Sequence, residues 1–477
     1  MHELRDSRTK IIATIGPSCN NKETLKKMVM EGLDVCRLNF SHGTHQDHER
    51  SIKIINELSE ELGANIAILA DLQGPKLRIG EVENNQVMLE EGATIQFVTE
   101  DCLGTAEKVY MSYQHFPLDV MPGEAVLVDD GKIKLEVLET NRKDIVTLKV
   151  VSGGILSSKK GVNLPNTKIS LPSLTEKDIE DVRFVLKHEV HWIALSFVRN
   201  VKDILDLKEI INKTGKFIRV VAKIEKPEAV ETIEDILDQT DAVMVARGDL
   251  GVETPFDKVP VLQKQLVRKC IMKGKPVIIA TQMMEGMINN LMPTRAEATD
   301  VSNAVLDGAD AVMLSGETSV GKYPVEVIRN MQKVISSTES SGFYLKHDHI
   351  PDEKSPTYLP DSVCYNACQM ADMINAVGIV VFTFSGGTVF NIASHRPDAM
   401  IFAFTVDDLI MNQLSLVRGV DGFPVDKKID INEAISQAIE ILKKHRLVKK
   451  GDRLVYVGGI PMKKREPVNT INITTVE

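Results

Sequence analysis

Short apolar runs alternate along the chain with segments whose apolar residues recur every three or four positions. That is the mark of strands followed by amphipathic helices. The runs Lys10–Ile15, Asp34–Leu38, Ile66–Asp71, Val190–Leu195, Ile218–Lys223, Ala242–Ala246, Val277–Ala280 and Ala311–Leu314 read as strands. Between and after them, Lys22–Glu31, His45–Glu61, Glu176–Lys187, Val201–Asn212, Pro227–Asp238, Lys258–Lys273, Arg295–Asp307 and Val325–Ser336 read as helices. Eight strands, each followed by a helix, predict an α/β chain built on a closed parallel (β/α)8 barrel.

The third repeat is interrupted. From Leu72 to Thr167 the chain changes texture, with β-rich runs at Gln86–Leu89, Thr94–Val98, Ala125–Val128, Lys132–Val137 and Ile145–Val150 separated by Gly, Pro, Asn and Asp turns. This predicts a small all-β domain inserted in a barrel loop, placed to cover the active face. Gly342–Pro360 is aperiodic and reads as a linker, and the runs Ile379–Phe384, Met400–Thr405 and Arg453–Val457 beyond it predict a second α/β unit. The expected division is therefore 1–71 and 168–342 for the barrel, 72–167 for the inserted lid and 343–477 for the C-terminal domain.

Composition narrows the partners. The 477 residues are 43% apolar and 26% charged, as in an ordinary globular protein. With 57 Lys+Arg against 67 Asp+Glu the net charge is −10, which argues against nucleic acid or an acidic membrane as partner. Met1–Asp6 opens without an apolar signal region, and six cysteines are scattered without metal-site spacing, so a reducing cytoplasmic location is expected.

Active sites of such barrels gather at the carboxyl ends of the strands. Those ends read Thr14, Arg37-Leu-Asn39-Phe-Ser41-His42, Asp71-Leu72-Gln-Gly74-Pro-Lys76, Ser196, Lys223-Ile-Glu225, Arg247-Gly248-Asp249, Thr281-Gln282 and Ser315-Gly316-Glu317. Taken singly, each polar residue is an ordinary turn or helix cap. Their convergence on one rim is the signal. Arg37 and Lys223 are cations suited to phosphate. Glu225 and Asp249 supply hard oxygens for a divalent ion, and Gly248 lets backbone amides approach an anion. Phosphoryl or enolate chemistry suits such a set. Gly316-Glu-Thr-Ser-Val-Gly321-Lys322 has phosphate-loop spacing, but Tyr323-Pro324 stands where the metal-binding Ser or Thr is required.

Thr9–Ser18, Cys36–Gly43, Lys223–Glu225, Val243–Gly251, Ala280–Met284 and Met313–Thr318 together resemble the pyruvate kinase family. The resemblance implies phosphoryl transfer from phosphoenolpyruvate to ADP, giving pyruvate and ATP with Mg²⁺ or Mn²⁺ as cofactor. It implies that Arg37 binds the moving phosphoryl group and that Lys223 steadies that group and the enolate left behind. Glu225 and Asp249 would hold the metal, while Gly248, Asp249 and Thr281 would hold the substrate carboxylate. Thr281, or a water chain reaching Ser315 and Glu317, would bring a proton to the enolate. Asn39, His42, Arg78 and Lys160 are the implied nucleotide contacts, and a homotetramer is the implied assembly.

One departure matters. Family members that need K⁺ carry Glu where this chain has Lys76 and Thr where it has Leu72, the latter beside the cation positions matching Asn39, Ser41 and Asp71. The Lys76 ammonium is therefore expected to take the monovalent-cation role, with K⁺ not required. In the C-terminal unit, Ser385-Gly386-Gly387-Thr388 between a strand and a helix is a candidate phosphate cradle. With the basic run Pro461–Arg465, it suggests activation by a phosphorylated metabolite. Two rivals stay open: a metal-dependent lyase or aldolase acting on a pyruvate enolate, and a non-enzymatic metabolite sensor. The first would need neither ADP nor the covering domain, and the second would have no use for Lys223, Glu225, Asp249 and Thr281, all of which are present.

Overall fold

A computed structural model describes residues 7–343, 349–426, 431–459 and 467–477. Met1–Asp6, part of the expected linker and the Pro461–Arg465 run lie outside the described residues. Eight parallel strands close a barrel in chain order: Lys10–Thr14, Val35–Asn39, Ala67–Asp71, Trp192–Leu195, Arg219–Ile224, Ala242–Ala246, Val277–Ala280 and Ala311–Leu314. Alternate side chains of these strands point to opposite faces. Ile12, Val35, Leu69, Trp192, Val221, Met244 and Ile278 fill the interior, while Ile11, Ile68, Ile193, Val220, Val243 and Ile279 pack against the helices.

Several helices are started by their own sequence. Thr44 with Asp47, Thr175 with Asp178, Asn200 with Asp203 and Thr294 with Glu297 form reciprocal caps that satisfy the first free amides. Two of these caps, at Thr44 and Asn200, follow directly on loops that carry rim residues, Asn39–His42 and Ser196. The expected single helix Pro227–Asp238 is instead two, Pro227–Glu231 and Ile233–Gln239. The Thr232 hydroxyl explains the break: it donates to the Glu228 carbonyl and, across the fold, to Arg199 O, both at 3.0 Å.

The inserted segment carries its own apolar cluster, which includes Ile95, Phe97, Phe116, Leu135 and Leu148. Its six-stranded sheet is joined by a separate pair, Gln86–Leu89 with Gly154–Ser157. Strands Lys108–Tyr110, Gly154–Ser157 and Val162–Asn163 were not expected; at two to four residues they are too short to show a period.

The C-terminal sheet is ordered Val420–Pro424, Met400–Thr405, Gly378–Phe382, Arg453–Gly458 and Thr470–Thr475, the last antiparallel. This unit closes the amino end of the barrel. Leu416 joins the barrel's inner cluster, and Trp192 Nε1 donates to Gln413 O at 3.1 Å. Arg396 meets Asp310 at 2.7 Å in the same seam, where both are buried. That end is therefore plugged, and only the carboxyl end remains open for chemistry. No helix of the described residues is long and apolar enough to cross a membrane.

Candidate active site

Asp71, the last residue of the third strand, is the centre of the charged cluster. Its Oδ2 accepts from Arg37 Nε at 2.7 Å and lies 2.7 Å from Arg37 Nη2, while its Oδ1 lies 3.2 Å from Lys223 Nζ. The geometry follows from the barrel register, which sets Arg37 beside Leu69 and Asn39 beside Asp71. Arg37 is further fixed by donating to Thr14 Oγ1 at 2.8 Å, and that hydroxyl in turn donates to Leu314 O.

Lys223 Nζ also lies 3.0 Å from Glu225 Oε1 and donates to Ser196 Oγ at 2.7 Å. Burial opposes the ammonium, but the Asp71 and Glu225 carboxylates outweigh it and hold the Lys223 pKa above its ordinary value. Burial raises the Asp71 carboxyl too, yet Lys223 and Arg37 reverse the balance and leave it below the usual range. Glu225 is pushed the other way, by burial first and against the pull of Lys223, with the nearby Asp249 charge adding to the rise.

Two placements differ from expectation. The fifth strand ends at Ile224, so Glu225 sits one residue beyond it, its Oε2 accepting from Phe197 N at 2.6 Å. Asp249 does not end a strand: it lies in the first turn of the helix Arg247–Glu253, which starts where Ala246 closes the sixth strand. Gly248 N in that turn donates to Thr281 Oγ1 at 2.8 Å, and Thr281 holds a left-handed φ of 71° at the end of the seventh strand. Arg247, read as part of the rim, points across to donate to Thr281 O at 2.7 Å and pairs with Asp300 at 2.7 Å.

The fit to a divalent ion follows from Glu225 and Asp249. The Asp249 charge adds to the cost of ionising the buried Glu225, and a cation beside the two would relieve it. Among the described residues no group of three or more His, Cys, Asp or Glu is placed to hold a metal. Two carboxylates with the remaining oxygens from substrate and water is the coordination Mg²⁺ favours.

The expected nucleotide residues fall on the loops above this cluster. His42 is held below its ordinary pKa by burial and then by the Arg78, Lys76 and Arg37 charges, which places those cations around it. Arg78 Nη1 donates to Lys159 O at 2.9 Å, and Lys160 pairs with Asp129 at 2.8 Å, both in the inserted segment. Asn39 Oδ1 accepts from Ser41 N at 3.1 Å. Lys76 is exposed beside Gly161, and among the described residues no ion pair joins it to Asp71, whose oxygens face Arg37 and Lys223.

Glu317 is buried, its two oxygens accepting from Met284 N and Ser315 N. At the plugged end, Gly386 has a φ of 83° and its N–H donates to Thr383 Oγ1 at 2.9 Å, while Ser385 O accepts from Arg219 Nη2. Sequence reasoning missed the part played by Ser196, Asn163, Lys226 and Glu253. Ser196 looked like a cap, and the seven-residue helix that ends at Glu253 is too short to show which side is buried.

The fold and the rim together define a (β/α)8-barrel enzyme whose cations and carboxylates converge at the carboxyl ends of the strands. Residues 6–328 match the family description "Pyruvate kinase, barrel domain" and residues 361–474 match "Pyruvate kinase, alpha/beta domain". The chain is 43% identical to a pyruvate kinase of Corynebacterium glutamicum over 98% of its own length and 97% of that protein's. It is 40% identical to one of Geobacillus stearothermophilus, covering 98% of this chain and 80% of that one. A crystal structure of a pyruvate kinase from Cryptosporidium parvum superposes with a TM-score of 0.90 at 35% identity, covering 99% of this chain and 97% of the other. The chain belongs to the pyruvate kinase family and is an enzyme of that class.

Proposed function

We propose that this protein transfers the phosphoryl group of phosphoenolpyruvate to ADP, and that the Arg37–Asp71–Lys223–Glu225 cluster carries the reaction. The observation behind this reading is the shared Asp71 carboxylate, which holds both cations at once at the carboxyl ends of the strands. In the transfer, the bond from phosphorus to the enol oxygen breaks, a bond to an ADP oxygen forms, and the enolate takes up a proton to become pyruvate. Arg37 binds the phosphoryl oxygens. Lys223, already charged and oriented, faces both the transferring group and the negative oxygen left behind. Such transfer needs positioning and charge neutralisation rather than covalent help from the protein.

Glu225 and Asp249 would hold Mg²⁺ or Mn²⁺, which supplies charge neutralisation on the substrate oxygens. The amides of Gly248 and Asp249 would take the substrate carboxylate together with the Thr281 hydroxyl, Gly248 N releasing its present bond to Thr281 Oγ1. Thr281 stands on the proton's route to the enolate. His42, Arg78 and Lys160 bind the nucleotide from the loops and the inserted segment, and that segment excludes water. Location in the cytoplasm and assembly as a homotetramer belong to the same reading. The test is pyruvate formation with ADP and Mg²⁺ each supplied or withheld. Pyruvate that forms equally without ADP would mean that the phosphoryl group goes to water, and would overturn transfer to ADP.

Lys76 replaces the monovalent cation in this reading. Its exposed position leaves it free to turn toward Asn39, Ser41 and incoming phosphate as the lid closes, where Leu72 offers no oxygen to an ion. We expect full activity in potassium-free buffer, and Lys76→Glu with Leu72→Thr should make activity depend on KCl. Strong activation of the unaltered enzyme by KCl would refute the idea.

The Ser385–Thr388 loop is read as the seat of a phosphorylated activator. It is tied to the start of the fifth barrel strand through Arg219, whose guanidinium lies 4.4 Å from the Phe390 ring. Four residues along that strand is Lys223. Sugar phosphates and AMP should lower the half-saturating phosphoenolpyruvate concentration. An unchanged curve with all of them would count against the reading.

A further inference from the structure

Glu253 ends the short helix whose first turn holds Gly248 and Asp249, and its side chain is almost fully buried. Two groups meet its Oε1. Lys226, directly after Glu225, lies 2.6 Å away, and Asn163 Nδ2 of the inserted segment donates at 2.9 Å. Its other oxygen, Oε2, is buried and has no hydrogen-bond partner among the described residues. A buried carboxylate with one oxygen unsatisfied depends heavily on its remaining donors.

A second contact falls on the same helix. The turn Asp129-Asp130-Gly131, all left-handed in φ, lies over it, and a Cβ built on Gly131 would stand 4.0 Å from Val252 Cγ1. That turn also receives Lys160, at Asp129. Asp130, Asn163, Lys76, Lys226, Asp249 and Glu253 line one cleft between the inserted segment and the barrel. The inserted segment thus touches the barrel face at the element that presents the substrate-facing amides. Its own apolar cluster is separate from the barrel's, so movement of one unit reaches the other through polar contacts, of which this is one.

We propose that Asn163 and Glu253 form the latch through which closure of the inserted unit orients the helix carrying Gly248 and Asp249, with Lys226 tying the same carboxylate to the end of the fifth strand. Glu253 is a positioning residue: it touches none of the reacting atoms. With the unit closed, the Asn163 amide sits on Oε1, as it does here at 2.9 Å, and fixes the far end of a helix of seven residues. The first turn is tied to Thr281 and Asp300 through Gly248 and Arg247, and Glu253 supplies the hold at the other end. The proposal rests on reading Gly248 and Asp249 as the carboxylate and metal site.

The experiment is a swap measured on the full-length enzyme. Asn163→Ala should lower kcat/KM for ADP about tenfold, the worth of one hydrogen bond to a charged group. Asn163→Asp should cost more, since it sets two carboxylates face to face. Combining Asn163→Asp with Glu253→Gln reverses donor and acceptor and should recover most of the loss. A Glu253 that served only as counter-ion to Lys226 would leave Asn163→Ala at full activity, and that result overturns the latch. So does a double variant no better than the product of its singles. If Glu253→Gln fails to fold, the Asn163→Ala effect on kcat/KM alone decides. Asp249→Asn separates the two claims: intact transfer in that variant would sink the site reading, whereas its inactivity beside a fully active Asn163→Ala would sink only the latch.

Discussion

Lys223→Met is expected to lower kcat by about 10²–10³ or more, the cost of removing one preorganised charge from a dry site. The reasoning starts from its surroundings. The ammonium lies 3.0 Å from Glu225, 3.2 Å from Asp71 and 2.7 Å from the Ser196 hydroxyl, so it is held without choice of rotamer. Burial alone would favour neutral lysine, but the two carboxylates overcome it and keep the charge at every working pH. No reorganisation is then needed when negative charge moves from the phosphoryl group to the enolate oxygen. Methionine fills the stem volume and loses the charge, so a fall in kcat at nearly constant KM for phosphoenolpyruvate marks a group that acts on the transition state. Loss of binding with kcat preserved would show that Lys223 serves only to dock the substrate. Lys223→Arg should not rescue, since a planar fork cannot occupy the narrow gap between Asp71, Glu225 and Ser196.

The barrel was legible because its eight strands are buried on both faces and read as continuous apolar runs, bounded by helices with capping residues of their own. The rim was legible for the same reason: Arg37, Asp71, Lys223 and Thr281 stand out as polar breaks at the ends of those runs. Where the signal was short, it failed. Arg247–Glu253 follows its strand with no intervening loop, so Asp249 read as a strand end when it is a helix start. Val420–Pro424 carries both Gly422 and Pro424, which hide a strand that the neighbouring Met400–Thr405 holds in register. Thr470–Thr475 is a polar edge strand and owes its form to pairing with Arg453–Gly458. Contacts between units, such as Asn163 with Glu253 and Arg219 with Ser385, depend on how separately folded pieces meet, which no periodicity encodes. The position of Lys76 is of this kind as well.

Asp71→Asn is expected to be the most damaging single change in stability and nearly as damaging in rate. The carboxylate is 1% exposed, yet it neutralises two cations at once, Arg37 through Oδ2 and Lys223 through Oδ1. Removing one partner from a buried ion cluster typically costs about 3–5 kcal/mol because the remaining charge stays buried without compensation. Here Glu225 still faces Lys223, so the uncompensated charge falls mainly on Arg37, whose remaining side-chain hydrogen bond is to the neutral Thr14 hydroxyl. The same linkage fixes the pH response. Because the folded-state pKa of Asp71 is depressed, its contribution is fully present above the ordinary carboxylate pKa and is lost as pH falls through the lower folded value. Thermal unfolding of the unaltered enzyme should therefore weaken with acidification, and the Asp71→Asn variant should show a shallower slope over that acid range. Identical slopes would mean that other carboxylates carry the acid sensitivity and that Asp71 is not the anchor of the two cations. Inorganic phosphate offers a further readout: with Arg37 released from its carboxylate, the variant should bind phosphate more tightly while turning over more slowly, a separation that simple unfolding cannot produce.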